Sequence, residues 1–191
     1  MEKNRCGWCV GDKLYESYHD NEWGVPLHDE QLLFEFLVLE TFQAGLSWIT
    51  ILRKRENFRL AFDNFDYKIV AQYNEKKKEE LLQNAGIIRN KLKVNSAITN
   101  AQNFMKIQEE FGSFDAYIWS FVDNQPIVNA WKNHKDCPAT TEISDLISKD
   151  LKKRGFKFVG STVIYAFMQA IGMVNDHIID CFRHTEVMQY E

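Results

Sequence analysis

The chain has 191 residues, of which 45% are apolar, 26% charged and 14% aromatic. That balance excludes a disordered chain and suits one domain, or two small lobes sharing a core. Lys and Arg number 23 against 27 Asp and Glu, a net charge of -4 that argues against a broadly basic nucleic-acid binder, and three prolines with nine glycines are few turn signals for an all-β protein.

The opening residues, Met1 to Cys6, carry no apolar run and no small-residue cleavage site, so no secretory signal is read there. In that context the four cysteines, Cys6, Cys9, Cys137 and Cys181, read as metal ligands or free thiols rather than disulfides. A cytoplasmic protein is expected. Asp29 can cap a helix running to about Phe42, and this helix is apolar almost all round, which marks it as buried. Glu40 sits at its end, an acidic group entering an apolar neighbourhood. Gly45 allows a turn, and Ser47 can cap the helix of Trp48, Ile49, Ile51 and Leu52. Asp66 and Asn74 each open a short helix, and Gly86 ends the second of these. Leu92 to Gln108 keep near-helical spacing until Gly112, and Ser113 then caps a short aromatic helix.

Residues 122–140 are polar, contain Pro126 and Pro138, and read as a long surface loop. Thr141 starts a helix that Gly155 ends, and a last pair of helices is expected over roughly 161–172 and 176–182. The uncharged stretch between Lys157 and Asp176 is long enough to raise the question of a membrane span. Its polar and glycine interruptions favour a buried helix, so no membrane association is expected. The only strand-like alternation, Phe156 to Phe158, is too short for a sheet, and the fold class is all-α.

Four groups of residues can carry chemistry. Cys6-Gly7-Trp8-Cys9 is either a redox pair or half of a zinc site, and the βαβ context of a thioredoxin-like pair is missing. His177 and Cys181 are four apart, which on a helix puts both on one face; Cys6 or Cys9, with His19, would complete a closed tetrahedral zinc site, against the plain alternative of buried thiols and ordinary histidines. The segment Lys152 to Thr162 has four cations and no acid between Lys152 and Lys157, and a hairpin that turns at Gly160. It reads either as a helix-hairpin-helix grip on a phosphate backbone or as an ordinary solvated turn between two helices. Tyr18, His19, Trp23, Trp8, Trp48 and Glu40 are either core residues or a stacking pocket with an acidic acceptor, suited to an electron-poor heteroaromatic base. Asp176 reads as a helix N-cap in preference to a general base.

Several segments, in order over nearly the whole chain, resemble the bacterial DNA-3-methyladenine glycosylase I family. They are Cys6-Gly7-Trp8, Tyr18 to Gly24, Leu39-Glu40, Gln43 to Thr50, Ala85 to Arg89, Trp119 to Val122, Arg154 to Gly160 and Asp176-His177. The resemblance implies an all-helical helix-hairpin-helix glycosylase, a single domain over 1–191 with two helical lobes whose terminal segments are joined by one structural zinc on Cys6, His19, His177 and Cys181. It implies that Glu40 and Tyr18 hydrogen-bond an extruded base, that Trp48 stacks on it, and that Trp8 and Trp23 line the same pocket. Leu46, on the Gly45 turn, would fill the gap left in the duplex, and Gly155, Lys157, Gly160 and Ser161 would hold the DNA backbone. Thr162 stands where lyase members carry a lysine, so a monofunctional enzyme is implied. The expected partner is double-stranded DNA containing 3-methyladenine, bound by a monomer.

Overall fold

In a computed structural model, residues 3–189 are described; the residues that open and close the sequence, including Met1 and Glu2 of the signal-peptide reading, lie outside them. The helices are α1 (Lys13–Asn21), α2 (Glu30–Gln43), α3 (Trp48–Leu52), α4 (Arg55–Ala61), α5 (Tyr67–Val70), α6 (Glu75–Gln83), α7 (Lys91–Phe111), α8 (Phe114–Trp119), α9 (Glu142–Lys153), α10 (Ser161–Ala170) and α11 (Phe182–Glu186). Two-residue strands β1 (Ile127–Val128) and β2 (Val174–Asn175) form one parallel pair. No helix among the described residues is long and apolar enough to cross a membrane.

Most caps read from the sequence act as expected; Ser47 does not, its hydroxyl meeting Thr50 Oγ1 at 2.7 Å with no cap bond to the backbone of α3. The side chains of Asp29, Asp66, Asn74, Ser113 and Thr141 each accept from backbone N–H groups in the first turn of α2, α5, α6, α8 and α9. α1 was not anticipated. It is mostly polar, and Asp12 caps it by accepting from Leu14 and Tyr15. α2 is the centre of the molecule: ten consecutive residues from Leu33 to Phe42 are buried, and α3, α7, α8 and α10 pack around it. Behind it, Phe42, Phe58, Phe62 and Phe65 form a run of ring contacts, and Phe104 stacks on Phe114 at 4.2 Å. Much of the aromatic content is therefore core.

Two expectations are corrected. Residues 176–182 are not a helix. After β2 the chain turns, with the His177 N–H donating to Asn175 Oδ1 and the Ile179 N–H to the Trp131 carbonyl. Local turn bonds, such as the Cys181 N–H to the Ile178 carbonyl, alternate with long-range ones, such as the Phe182 N–H to the Asn4 carbonyl. Nor are residues 122–140 a free loop. β1 anchors them to β2, and Asn129, Trp131 and Cys137 reach into the molecule to meet Asp176.

The end of α10 docks on the segment after α1. Gly24 N–H donates to the Gln169 carbonyl and Leu27 N–H to the Ile171 carbonyl. Gly172 closes this contact with φ +73°, and a Cβ there would lie 2.4 Å from backbone atoms of Val25 and Pro26. Gly172→Ala therefore combines left-handed strain with a backbone clash, and a loss of about 2–4 kcal/mol is expected in urea denaturation; a loss below about 1 kcal/mol would show that the contact yields easily.

Candidate active site

A cavity of about 210 Å³ opens between α1, α2, α3 and α10 and is lined by Trp8, Tyr15, Tyr18, Trp23, Glu40, Gln43, Trp48, His134, Ala166 and Gln169. That is smaller than a drug-sized pocket and suits one flat ring system. The five sequence-predicted base-pocket residues, Glu40, Tyr18, Trp48, Trp8 and Trp23, all line it. Tyr15, Gln43, His134, Ala166 and Gln169 were missed. Tyr15 lies three residues from Tyr18 on α1 and Gln43 three from Glu40 on α2, a helical spacing that could have found them. His134 and the α10 residues needed the long-range fold.

The cavity wall is largely aromatic. Trp48 lies 5.4 Å from Tyr18 and stacks at 16° on Phe36, which carries the Arg55 guanidinium at 5.0 Å on its ring. Arg55 in turn is held by Glu22 and by the buried Glu35. Trp8 meets Trp23 edge to face at 5.0 Å. In this surround Glu40 Oε2 and the Nε1 atoms of Trp8 and Trp48 are sealed from solvent and have no hydrogen-bond partner in the protein. Buried polar atoms of native proteins are nearly always paired, so three unpaired ones on a single cavity point to a ligand. Burial pushes the Glu40 carboxyl up to about 8 and the Tyr18 hydroxyl well above its ordinary value, so both are protonated at neutral pH.

Beneath Trp8 and Trp23 lies a second buried cluster. Cys6, His19, His177 and Cys181 each turn one donor atom to a common point, all within 4.8 Å of one another. His19 Nδ1 donates to Asp20 Oδ1 at 2.8 Å and His177 Nε2 to the Trp23 carbonyl at 3.1 Å. This leaves His19 Nε2 and His177 Nδ1 facing each other at 3.2 Å as lone pairs. Three sulfur–nitrogen separations across the cluster lie between 3.4 and 3.7 Å. A tetrahedral zinc with ordinary bond lengths has edges of about 3.4 Å (N–N) and about 3.6 Å (N–S). The donors therefore fit a metal ion, and opposed lone pairs without one repel. Cys9 stays outside: its Sγ donates to the Cys6 carbonyl at 3.1 Å, and burial pushes its thiol up to about 12. His177 and Cys181 do meet, across a turn rather than along a helix.

The comparison with known proteins decides the family. The methyladenine glycosylase family model matches residues 8–184. The chain belongs to that family. It is 51% identical over 177 residues to DNA-3-methyladenine glycosylase 1 of Escherichia coli, covering 93% of this chain and 95% of that one. It is 46% identical to the DNA-3-methyladenine glycosylase of Haemophilus influenzae, covering 93% and 96%. A solved structure of the Staphylococcus aureus 3-methyladenine DNA glycosylase I, concerned with 3-methyladenine recognition, superposes with a TM-score of 0.91 at 35% identity and covers 95% of this chain and 97% of its own.

In this methyladenine glycosylase the remaining predicted residues lie outside the cavity. Gly45 takes φ +80° on an exposed turn that presents Leu46, and the buried Lys93 ammonium clamps that turn by donating to the carbonyls of Phe42 and Ala44. Between α9 and α10 the left-handed residues are Gly155 at φ +91° and Phe158 at φ +57°; Gly160 is extended, so the hairpin does not turn there as expected. Asn100 pins both the N–H and the carbonyl of Lys157, and Ser161 meets Ser144 at 2.7 Å. Asp176 caps no helix. Its carboxylate accepts from Asn129, Trp131, Cys137, Tyr165 and Gln169.

Glu40 has a measurable consequence. Its folded-state value near 8 lies above the ordinary 4.5, so between these values the folded state holds the extra proton. That contribution to stability is complete below about 4.5 and declines as pH rises towards 8, by on the order of 1 kcal/mol per unit. Urea denaturation of wild type and Glu40→Gln at pH 5 and pH 8 should show the variant losing this decline. Parallel pH profiles would show that Glu40 is charged in the free protein.

Proposed function

We propose that this enzyme flips 3-methyladenine out of alkylated double-stranded DNA and releases it by hydrolysis, leaving an abasic site, as a step of base-excision repair. The observation that carries this reading is the aromatic cavity holding a buried, unpaired acid. A base inside a duplex cannot be reached, so it must leave the stack, and stacking on Trp faces replaces what it loses. N3-methylation makes the adenine cationic in DNA, and a cation is drawn both to Trp faces and to a carboxylate. As the ring enters, its charge favours ionised Glu40, which releases its proton to solvent water. The Glu40 oxygens and the Tyr18 hydroxyl hydrogen-bond the ring, Trp48 stacks on it, and Trp8 and Trp23 close the pocket. The bond from the sugar carbon to the base then breaks with its electron pair going to the base, which departs neutral. Water adds to the sugar carbon and loses a proton.

Such a leaving group needs little acid catalysis. Consistent with this, Asp176 has five donors on its carboxylate and is 1% exposed, which leaves it unsuited to act as a base. Thr162 at the start of α10 offers no amine, which favours hydrolysis without strand cleavage. Leu46 would enter the gap in the duplex. Gly155, Lys157, Gly160 and Ser161 would meet the phosphates, where the N-terminus of α10 is open: a Cβ at Gly160 would touch nothing within 4 Å.

We assign one structural zinc ion to Cys6, His19, His177 and Cys181. Its chemistry is to hold four side chains in one closed tetrahedron. The chain would work as one domain, a cytoplasmic monomer whose two terminal segments are joined by this site.

Incubation with methylated duplex DNA should free 3-methyladenine, and Glu40→Gln or Trp48→Ala should lower the rate about 10- to 100-fold. Release of no methylated base by the wild type would overturn the assignment. Elemental analysis should find one zinc in the wild type and in Cys9→Ser, and none in Cys181→Ser, which should also be destabilised by on the order of 3 kcal/mol. Unchanged metal content in Cys181→Ser would remove that residue from the site.

A further inference from the structure

The carboxylate of Asp176 is fully engaged, yet it reaches the cavity through one neighbour. Oδ1 accepts from Asn129 Nδ2 at 2.7 Å and Trp131 Nε1 at 2.7 Å. Oδ2 accepts from the Tyr165 hydroxyl at 2.6 Å, Gln169 Nε2 at 2.8 Å and Cys137 Sγ at 3.1 Å. Of these five residues, Gln169 alone lines the cavity. Its amide orientation follows from chemistry. A carboxylate oxygen only accepts, so the amide must turn its NH2 to Asp176. Nε2 also lies 3.4 Å from Cys137 Sγ, on the same side as the carboxylate. The carbonyl Oε1 is the free end of the side chain. A terminal amide is ordinarily free to flip and present a donor or an acceptor; here one of the two is excluded.

We propose that Gln169 is a specificity-determining residue, locked by Asp176 as an obligate hydrogen-bond acceptor in the pocket wall, and that it selects 6-aminopurines over 6-oxopurines. The proposal rests on the reading of this cavity as the base pocket. Adenine carries an amino donor at position 6 where guanine carries an oxygen acceptor. An acceptor on the wall favours the donor edge and meets an oxo edge lone pair to lone pair. The NH2 group, polarised by the buried carboxylate, also makes Oε1 more electron-rich, which suits a cationic ring. The strap of residues 122–140 takes its role here: Asn129, Trp131 and Cys137 hold the carboxylate that holds Gln169.

The same geometry dictates the effect of Asp176→Asn. Trp131 Nε1 and Asn129 Nδ2 are donors and require the new Oδ1 on their side. The new NH2 then faces Gln169, whose amide must reverse and turn its own NH2 into the cavity. The substitution would convert the pocket's acceptor into a donor without altering any lining residue.

The test uses duplex DNA methylated to contain both 3-methyladenine and 3-methylguanine, with the freed bases separated by chromatography. The ratio of the two products from one incubation is independent of how much enzyme is folded. Wild type should favour 3-methyladenine. Gln169→Met, which keeps the length and removes the acceptor, should lower the ratio about tenfold. Asp176→Asn should lower it further, and its failure to fold would leave the Gln169→Met result decisive. A Gln169→Met ratio equal to that of wild type overturns the proposal while leaving the glycosylase reading intact. Release of neither base by the wild type overturns both.

Discussion

The rest of this structure is arranged around one costly group, the carboxyl of Glu40 at the inner end of an apolar helix. Burying it uncharged and without a protein partner forfeits the hydration that a surface acid keeps, a cost on the order of a few kcal/mol. The fold carries that cost because α2 is packed on nearly every face by other helices. What the cost secures is a carboxyl that needs no rearrangement before a ring arrives. A solvated acid would have to shed water first; this one already faces an aromatic wall with its own Oε2 left unpaired.

The wall is held in turn by the four-donor cluster below it. Tyr18 and His19 are neighbours on α1, and one helical step sends the first into the cavity and the second into the cluster. Trp8 packs against the His19 ring at 5.3 Å and Trp23 against the His177 ring at 4.6 Å. The Trp23 carbonyl also fixes the His177 ring. Two of the three tryptophans on the cavity therefore rest on rings that the cluster immobilises. Residues 171 positions apart in the chain, Cys6 and His177, meet there. A metal in that place would act on catalysis only through rigidity, by keeping the stacking faces from collapsing into the cavity between them.

Much of this was legible in the sequence, and the exceptions share a cause. Helix starts could be read because a cap is local: Asp29 or Asn74 needs only the next three residues. Glu40 stood out because an acid is conspicuous in an otherwise apolar helix. The tryptophans could be nominated, but composition could not separate Trp48, which lines the cavity, from Trp119, whose indole donates to the Leu27 carbonyl in the core. The spacing of His177 and Cys181 was right for the wrong reason, since four residues bring two side chains together in a turn as well as in a helix. α1 was missed because its few apolar residues make no continuous stripe. Gln169 and Asp176 could not be paired from sequence, because their partners lie on a strap some 40 residues away whose polar composition resembles that of a free loop.

The charge pattern gains a different meaning from the geometry. Four cations between Lys152 and Lys157 suggested a compact grip on phosphate, but Arg154 is bound to Glu110 and Asp150 and lies over the rings of Phe111 and Tyr117. It fastens α9 to α7 and α8. Lys152, Lys153 and Lys157 remain exposed and without an ion pair among the described residues. Each phosphate neutralised contributes a fixed increment to the salt dependence of binding, so a footprint of about three would give a weak electrostatic hold. On a chain of net charge -4 the remaining surface adds repulsion. If these three lysines are the phosphate contacts of the hairpin, charge there would contribute little to holding DNA. Under the proposed function, a preference for damaged DNA would come from the cavity, where a cationic ring gains more from Trp faces and a carboxylate than a neutral base does. A small phosphate footprint and an aromatic pocket would then be two halves of one discrimination: the first would let undamaged sequence go, and the second would retain the lesion.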